Sequence, residues 1–439
     1  SADALISQAK KAGADAADAI YVCDASTQVQ MRLGNLEDVE RSEGEEIGLR
    51  VFVGKRSATV SSSDMDPEIL SSLVGRAIDM AKEAPEDQYA CLAPEELLLK
   101  SDPHPIEGDD GQNPEPELLR ELALKAEDAA RSVKGVTNSE GGGANAGRTI
   151  VALATSHGFS GAYSTSGYSI SASVIAGQGD GMERDYAYDS ARFLEDLQSP
   201  DTIGREAGER AVSRLNPVQF QSGAMPVVYD PRVGNSLLGH FVGAISGAAI
   251  ARKTSFLLDA LDTEVFDSAI SIIDCPHRKR GLRSKAFDGE GLPTAKTKLI
   301  DQGRLTQWIM ESASARQLGL QPTGHASRGV GGAPGVSVTN LHMGNGSVSK
   351  TDLIRDIKHG VYITELIGMG VNQVTGDYSR GASGFLITDG EIGPPVSEIT
   401  IAGNLKDMFK SLVAADDLEY RYSINVPTLR ADSMTVAGG

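Results

Sequence analysis

The first part of the chain alternates between helix-like and strand-like patterns of apolar positions. Apolar residues recur at helical spacing over residues 4–17 and 67–81, and the second of these segments begins with a proline, which suits the first turn of a helix. Between them, residues 20–32, 46–53 and 58–62 are rich in Val, Thr, Ile and Tyr and are separated by Gly and Asp. This pattern predicts two helices with an antiparallel meander of three strands between them in the sequence.

A long segment without periodicity separates this part from the next. Residues 83–116 are acidic, contain six prolines and show no apolar repeat, so we expect a surface loop there. The pattern then predicts, in chain order, helix 117–133, strands 150–155 and 167–175, a hairpin through residues 177–181 and helix 202–214.

The pattern changes near residues 217–223, where the charge balance and the glycine spacing also change. A strand is predicted over residues 225–229, and a long helix is expected to begin at Pro231 and to run toward residue 250. Strands and short helices follow. Because 439 residues exceed the size at which one core keeps growing, we predict more than one domain. The prediction is an α+β fold with two domains, 1–220 and 221–439, each with a largely antiparallel sheet and packed helices.

Two short motifs in the second half predict local structure. The polar connection at residues 301–304 contains Gly303, which suits the turn of a hairpin. Ser349 begins a Ser-x-x-Asp pattern that is typical of a helix start. We expect that helix to end near residue 358, with Gly360 as its left-handed stop.

Composition and charge exclude several classes of protein. Charged residues make up 23% of the chain and no segment approaches twenty uninterrupted apolar positions, which argues against disorder and against a membrane span. The formal charge of −19 is concentrated in residues 1–220, which hold 38 acidic and 20 basic residues, against 22 and 21 in residues 221–439. Because nucleic-acid binding needs a basic surface, direct DNA binding is not expected.

The cysteines indicate the compartment. Cys23, Cys91 and Cys275 are odd in number, far apart and outside any Cys-x-x-Cys pattern. A disulfide framework or a cysteine-based zinc site is therefore not expected, and a reducing cytoplasm fits. The visible start of the chain, residues 1–14, carries Lys10 and Lys11 without a following apolar segment, so no secretory signal is seen there, although a first residue other than Met leaves trimming open.

Common catalytic motifs are absent from the sequence, and the most informative segment is the helix predicted after Pro231. The chain has neither a Walker-type phosphate loop nor a Gly-x-Ser-x-Gly elbow. Gly239, Gly243 and Gly247 recur every four residues, which predicts one helical face that another element approaches closely. His240 has no second histidine at zinc-ligand spacing and no carboxylate beside it, so this helix alone does not predict a zinc site.

Several separated segments in the second half resemble one known family, the TldD/PmbA proteins, and within it the PmbA (TldE) branch. The resemblance is strong over residues 225–439 and looser, in the order of elements, over the first half. It is carried by residues 239–258 (GHFVGAISGAAIARKTSFLL), 303–308 (GRLTQW), 314–320 (SARQLGL), 364–366 (TEL), 375–381 (TGDYSRG) and 397–407 (SEITIAGNLKD).

The resemblance implies a family of cytoplasmic metallopeptidases and DNA gyrase modulators, linked to peptide maturation and proteolysis. Its TldD branch carries a His-Glu-x-x-x-His zinc motif on this helix and a later cysteine ligand. Aligned on the leucines before that motif, Gly239 takes the place of the first histidine, His240 that of the glutamate and Ala244 that of the second histidine. No cysteine follows Cys275, whereas residues 427–433 still match the end of the family.

We therefore interpret the chain as a non-catalytic subunit that pairs with a TldD-type zinc metallopeptidase and is inactive alone. The resemblance implies no cofactor in this chain and zinc in the partner, with a homodimer if the partner is missing. Unfolded or extended peptides are the expected ligands, because a sheet edge can hold an added strand. The proposed contact surface is Gly376, Asp377, Tyr378, Ser379 and Arg380, where glycine allows close approach and the arginine can pair with a carboxylate.

Two alternatives stay open from the sequence. One is a self-sufficient peptidase with an atypical metal site drawn from His240, His325 and His342. The other is a modulator of DNA gyrase that acts by protein contact. The glycine-rich residues 324–346, which contain two of these histidines, are predicted to be a mobile loop that leads into a strand and could act as a lid.

Overall fold

The first half of the chain forms one antiparallel sheet with helices on one of its faces. The computed structural model describes residues 2–438. In chain order the elements are α1 Ala2–Lys11, β1 Ala16–Arg32, β2 Asn35–Val53, β3 Arg56–Ser62, α2 Pro67–Glu83, α3 Pro116–Arg131, β4 Val136–Thr155, β5 Ser160–Ala176, β6 Glu183–Ala191 and α4 Pro200–Ser213. The strands of this sheet follow the order β3-β2-β1-β4-β5-β6.

The predicted meander is confirmed, but its first hairpin is longer than predicted. β1 and β2 pair as far as a turn at Leu33 and Gly34, both of which have positive φ. The carboxylate of Glu127, on α3, accepts hydrogen bonds from the backbone N–H groups of both turn residues, at 2.6 and 3.0 Å. Residues 35–45 of β2 are exposed and mostly polar, so they lack the alternation that marks a half-buried strand.

The two faces of this sheet have different covers. The four helices α1–α4 bury the apolar residues of one face. At one end of the other face, Phe287 and Leu292 from the second half of the chain pack on Ile20 and Leu153. Beyond that cover, the same face carries polar residues such as Gln28 and remains accessible.

The second half contains a sheet that closes on itself and a smaller five-stranded sheet. The elements are β7 Gly223–Tyr229, α5 Pro231–Ala244, α6 Gly247–Ala251, β8 Ile272–Asp274, β9 Thr297–Asp301, β10 Arg304–Leu305, α7 Ser312–Leu318, β11 Ala326–Ser327, β12 Gly335–Val336, β13 Leu341–Met343, α8 Lys350–Ile354, β14 His359–Ile367, β15 Asp377–Thr388, β16 Glu391–Asn404, α9 Leu405–Ser411, β17 Val413–Ala414, β18 Ile424–Asn425 and β19 Leu429–Ala437. The larger sheet has the order β16-β15-β14-β7-β19-β17, and β16 also pairs with β19, so five of its strands form a ring. The smaller sheet has the order β10-β9-β8-β13-β18.

The predicted α+β class is confirmed, and most neighbouring strands are antiparallel. Parallel pairing occurs between β7 and β14 and between β13 and β18. Gly303 has φ +80° in the predicted hairpin. Ser349 caps α8 by accepting a hydrogen bond from the N–H of Asp352 at 3.0 Å, as predicted. The expected helix end is wrong, because α8 stops at Ile354 and Gly360 lies in β14 without a left-handed φ.

The long helix predicted after Pro231 is two helices. It breaks at Ile245 and Ser246, where Ser246 caps α6. The backbone there pairs with that of Ile309. The N–H of Gly247 donates to the carbonyl of Ile309 at 2.8 Å, and the N–H of Ile309 donates to the carbonyl of Ile245 at 3.1 Å. This pairing replaces helical hydrogen bonds, and local apolar spacing gives no sign of it.

Ion pairs join the two halves. Asp18 and Arg50 on the first sheet form a buried pair, and Arg328 from the second half binds the same carboxylate at 3.1 Å. Arg328 also donates to the carbonyls of Gly329 and Gly332. Arg328 thus attaches the start of the glycine-rich segment, residues 324–346, to the first sheet. Within residues 2–438 no helix combines the length and apolarity needed to cross a bilayer.

Candidate functional site

The helix on which the sequence analysis placed motif positions 239, 240 and 244 begins at a well-defined cap. Pro231 occupies the first turn of α5, and the side chain of Asp230 accepts a hydrogen bond from the N–H of Arg232 at 2.9 Å. The hydroxyl of Tyr362, on β14, donates to the other oxygen of Asp230 at 2.6 Å. These contacts hold the start of the helix against the closed sheet, while Leu237 and Phe241 bury its inner side.

The three motif positions differ in exposure and chemistry. Gly239 is exposed, and Ala244 is 1% exposed. His240 is half-buried, and its ring meets that of Tyr378 edge-on at a centroid distance of 6.1 Å. Its Nε2 is buried and has no hydrogen-bond partner in the part of the chain that the structure describes. Burial, and then the charge of Arg380, lower the pKa of His240, so its imidazole is neutral at neutral pH.

These residues do not fit a zinc ion. Gly239 and Ala244 have no donor atoms, which leaves His240 as the single side chain at the motif positions that can bind a metal. Across residues 2–438, no group of three or more His, Cys, Asp and Glu side chains is arranged to hold a metal. Cys275, the last cysteine in the sequence, is a half-buried free thiol.

The other two candidate histidines have structural partners. His325 is 5% exposed; its Nδ1 lies 2.9 Å from the Thr323 hydroxyl and its Nε2 3.5 Å from Asp274. His342 lies with its Nδ1 3.4 Å from the guanidinium of Arg278. Neither forms a metal-binding group with His240 within the described residues.

The glycine-lined face that the sequence predicted is not closely packed along its length. A Cβ at Gly239 would meet nothing within 4 Å, and one at Gly243 would lie 3.8 Å from Gln373. At Gly247, in α6, a Cβ would lie 2.6 Å from Cγ of Met310. The prediction of one shared face is therefore wrong, because the helix ends between the second and third glycines.

A cavity of about 280 Å³ lies beside the motif helix, between the two halves of the chain. Arg232, on the first turn of α5, donates to both oxygens of Asp185, on β6, at 2.9 and 3.0 Å. Arg214 lies 3.6 Å from the same carboxylate and 2.7 Å from Glu365. Burial alone would raise the pKa of Asp185, but the hydrogen bonds and charge of Arg232 outweigh it and leave that pKa lowered. Arg380 completes the lining of this charged cavity.

The segment of residues 376–380 is not a free sheet edge. Its backbone pairs with β16 on one side, and on the other the N–H of Ser379 donates to the carbonyl of Gly370 at 2.7 Å. The carboxylate of Asp377 is exposed and accepts hydrogen bonds from Thr375 and Asn404, which lower its pKa. Side chains, rather than backbone groups, are thus what this segment offers to another molecule.

The structure brings together residues that the sequence placed in separate motifs. Tyr378 contacts His240, and Arg380 lies close enough to lower its pKa. The charged network of Asp185, Arg214, Arg232 and Glu365, in which Asp185 is buried, was missed. These residues come from four separate elements or loops, and no spacing rule links them in the sequence.

Family models match nearly the whole chain. Those described as PmbA/TldA metallopeptidase domain 1, central domain and C-terminal domain match residues 17–81, 109–215 and 222–438. The curated protein "Metalloprotease PmbA" of Escherichia coli O157:H7 is 38% identical over 431 residues, which are 97% of this chain and 92% of that one. A PmbA homolog of Haemophilus influenzae is 37% identical over 433 residues, 98% of this chain and 94% of that one.

Solved structures agree with the sequence matches. A candidate modulator of DNA gyrase from Bacteroides thetaiotaomicron superposes with a TM-score of 0.91 at 26% identity, over 100% of this chain and 98% of that one. TldE from Thermococcus kodakarensis has the same fold, with a TM-score of 0.88 at 20% identity and 99% of each chain covered. The resemblance seen in the sequence is thereby confirmed, and the chain belongs to the PmbA/TldD family of metallopeptidase-like proteins.

Proposed function

We propose that this chain is a non-catalytic subunit that pairs with a zinc-bearing, TldD-type metallopeptidase. The observation that carries the proposal is the state of the motif helix: a bare, exposed Gly239, a buried Ala244 and, between them, a neutral His240 packed on Tyr378. A metal-bound water needs several protein ligands and a nearby general base, and these three positions supply neither.

The surroundings of the helix support a role for its retained surface. Asp230 still caps the helix, and charged residues still line the cavity beside it. A "Metalloprotease TldD homolog" of Buchnera aphidicola is also a relative, 26% identical over 283 residues. Two subunits of similar fold can form a pseudo-symmetric pair, with the zinc site of the partner facing a shared cavity. Without that partner, the same surface would form a homodimer.

Extended peptides are the proposed substrates of the pair, in peptide maturation and proteolysis in the cytoplasm. An extended peptide presents backbone groups and alternate side chains that sheets and side-chain pockets can bind. Loss of metal chemistry in one subunit leaves such binding surfaces intact.

The proposal is tested by mixing the purified chain with its cognate TldD-type subunit. We expect a stable 1:1 species in size-exclusion chromatography with light scattering, and hydrolysis of an unfolded peptide that neither subunit performs alone. As a control, the mixture is repeated with the zinc-motif glutamate of the TldD-type subunit replaced by Gln, which should keep the complex and lose the activity. A TldD-type subunit that works at full rate alone and never co-elutes with this chain would show that the proposal is wrong.

A further inference from the structure

A second cavity lies at the junction of the two halves, away from the motif helix. Its volume is about 430 Å³, and β6 and the connection after β8 contribute to it. Five basic side chains line it, in a chain whose formal charge is −19. They are Arg192, Arg278, Lys279, Arg280 and Arg421, and we call this site the basic cavity.

Three of the five cations have carboxylate partners. These pairs are Lys279 with Glu107 at 2.5 Å, Arg280 with Glu195 at 2.8 Å, and Arg421 with Glu206 at 3.1 Å. Their charges are therefore already compensated within the chain.

The other two cations, Arg192 and Arg278, have no carboxylate within 4 Å among residues 2–438. Arg192 donates to the carbonyls of Ser166 and Leu282, and its Nε is buried without a partner in the described chain. Arg278 stacks on the ring of Tyr420, with Cζ 3.7 Å from the centroid. Two guanidinium groups thus line one cavity without a carboxylate bound to either of them.

Neighbouring groups set the net charge of the site. His342 contacts Arg278, but burial, and then the charge of Arg278, lower the pKa of His342 to about 4, so it is neutral near pH 7. Asp189 lines the cavity, is 7% exposed and accepts a hydrogen bond from the N–H of Gln198 at 2.8 Å. Asp196 also lines the cavity and binds Arg280 at 3.1 Å. The five cations thus face five carboxylates, which are Asp189, Asp196 and the three partners Glu107, Glu195 and Glu206. A site with no net formal charge but two guanidinium groups free of ion pairs matches a monoanion such as a carboxylate better than a phosphate dianion.

The basic cavity continues into an accessible part of the first sheet. An adjoining cavity of about 490 Å³ shares Arg192 and Leu282 with it. Its floor contains Gly147 and Gly167, which lie opposite each other on β4 and β5, so no side chain rises from the sheet at that point. Hydroxyl and amide groups border this floor, from Ser26, Asn145, Thr149, Thr165, Ser169 and Ser190. The shape allows an extended backbone to approach the sheet closely.

We propose that the basic cavity binds the C-terminal carboxylate of a peptide between Arg192 and Arg278, while the preceding residues lie over Gly147 and Gly167. This inference rests on the proposed function in taking peptides as the ligands. It adds a specific anchor, since two charge-assisted guanidinium contacts would recognise the free end of the chain.

The test compares a fluorescent, unstructured peptide that has a free C-terminus with the same peptide as its C-terminal amide. Binding to the purified full chain is measured by anisotropy at low salt. We expect the acid to bind at least about tenfold more tightly than the amide, as for the loss of a charge-assisted hydrogen bond. Arg278→Gln should remove most of this difference, and so should Arg192→Gln if it folds. The control Arg355→Gln, on an exposed pair with Asp352, should keep it.

Competition identifies the ligand chemistry. Acetate should displace the acid peptide at lower concentration than inorganic phosphate at equal ionic strength. Equal affinity of acid and amide, an unchanged preference in Arg278→Gln, or stronger displacement by phosphate would each overturn the inference. The subunit-mixing experiment is independent of these outcomes, because complex formation is read from co-elution. A complex that forms normally with no preference for the acid would overturn the carboxylate site alone.

Discussion

The motif positions of α5 and the charged junction between the two halves differ in their polar side chains: the first have few and no charge, and the second has many charged ones. On the helix, Gly239 and Ala244 lack donor atoms and His240 is neutral, while Leu237 and Phe241 still pack into the core. At the junction, charged groups persist and most are paired, as in the contact of Asp185 with Arg232. The difference teaches that apolar packing is enough to hold the helix in place, whereas the junction depends on charge partners.

We expect the largest loss of stability when one partner of a charged pair at the junction is removed. Arg232→Ala removes both hydrogen bonds from the guanidinium to Asp185, whose side chain is 2% exposed. That carboxylate then keeps the N–H of Tyr186 at 2.8 Å and Arg214 at 3.6 Å. We expect the free energy of unfolding to fall by about 3 kcal/mol, because a buried charge loses its main partner. Urea denaturation monitored by circular dichroism measures it.

The matched control for this variant is Arg355→Ala, which breaks a pair with Asp352 on the surface of α8, where the arginine side chain is 73% exposed. That change should cost less than about 1 kcal/mol. Equal losses in the two variants would show that the junction does not depend on its buried ion pairs.

The second prediction concerns pH at the basic cavity. Because the folded-state pKa of His342 is about 4, below its ordinary value of 6.5, the unfolded chain binds a proton that the folded chain does not. This histidine therefore favours the folded state fully above pH 6.5 and loses that contribution as the pH falls toward 4. Relative to His342→Gln, the wild-type chain should lose about 2 kcal/mol more stability between pH 7 and 4.5.

Denaturation curves of both proteins at the two pH values measure this difference. Burial, Arg278 and Lys296 oppose protonation of His342, while Asp274 favours it. Parallel losses of stability in the two proteins would mean that His342 titrates normally and that burial and Arg278 do not oppose its protonation.

The third prediction separates glycines that looked equivalent in the sequence. Gly247→Ala forces a methyl group against Met310, at 2.6 Å from its Cγ, and should cost about 1–3 kcal/mol as overpacking does. Gly239→Ala, in the open middle of α5, should instead stabilise the isolated chain by about 0.5–1 kcal/mol through helix propensity. Melting temperatures of the two variants measure both effects. A destabilised Gly239→Ala protein would mean that this face of the helix is covered.

The smallest effect is expected at the motif itself. The triple variant Gly239→His, His240→Glu, Ala244→His should show no peptidase activity, because position 244 is buried and no cysteine follows Cys275 to act as the later ligand. His240→Ala should likewise leave hydrolysis by the isolated chain unchanged. Fluorogenic peptide assays with added zinc, beside elemental analysis, measure this. Activity in the triple variant would show that the helix needs only its ligands to work.

Part of the fold and of the site could be predicted from the sequence. The helices that begin at Pro67 and Pro231, the turn at Gly303 and the cap at Ser349 follow from local residue preferences, and the structure confirms them. The exposed half of β2, residues 35–45, was missed, because a strand with both faces exposed to solvent has no alternation of apolar and polar residues. The charged network around Asp185 was missed because its members are distant in the chain.

By itself, the sequence determined the succession of helices and strands and the lack of ligand atoms at positions 239 and 244, because periodicity and residue identity are local properties. Only the tertiary structure decided that the helix breaks at Ile245, where Ile309 supplies backbone hydrogen bonds. It also decided that Arg192 meets Leu282, ninety positions further along the chain, and that Arg278 faces the same cavity. Such contacts depend on how the strands of the second sheet close into a ring and on how the two halves of the chain pack together, and no local sequence pattern encodes either.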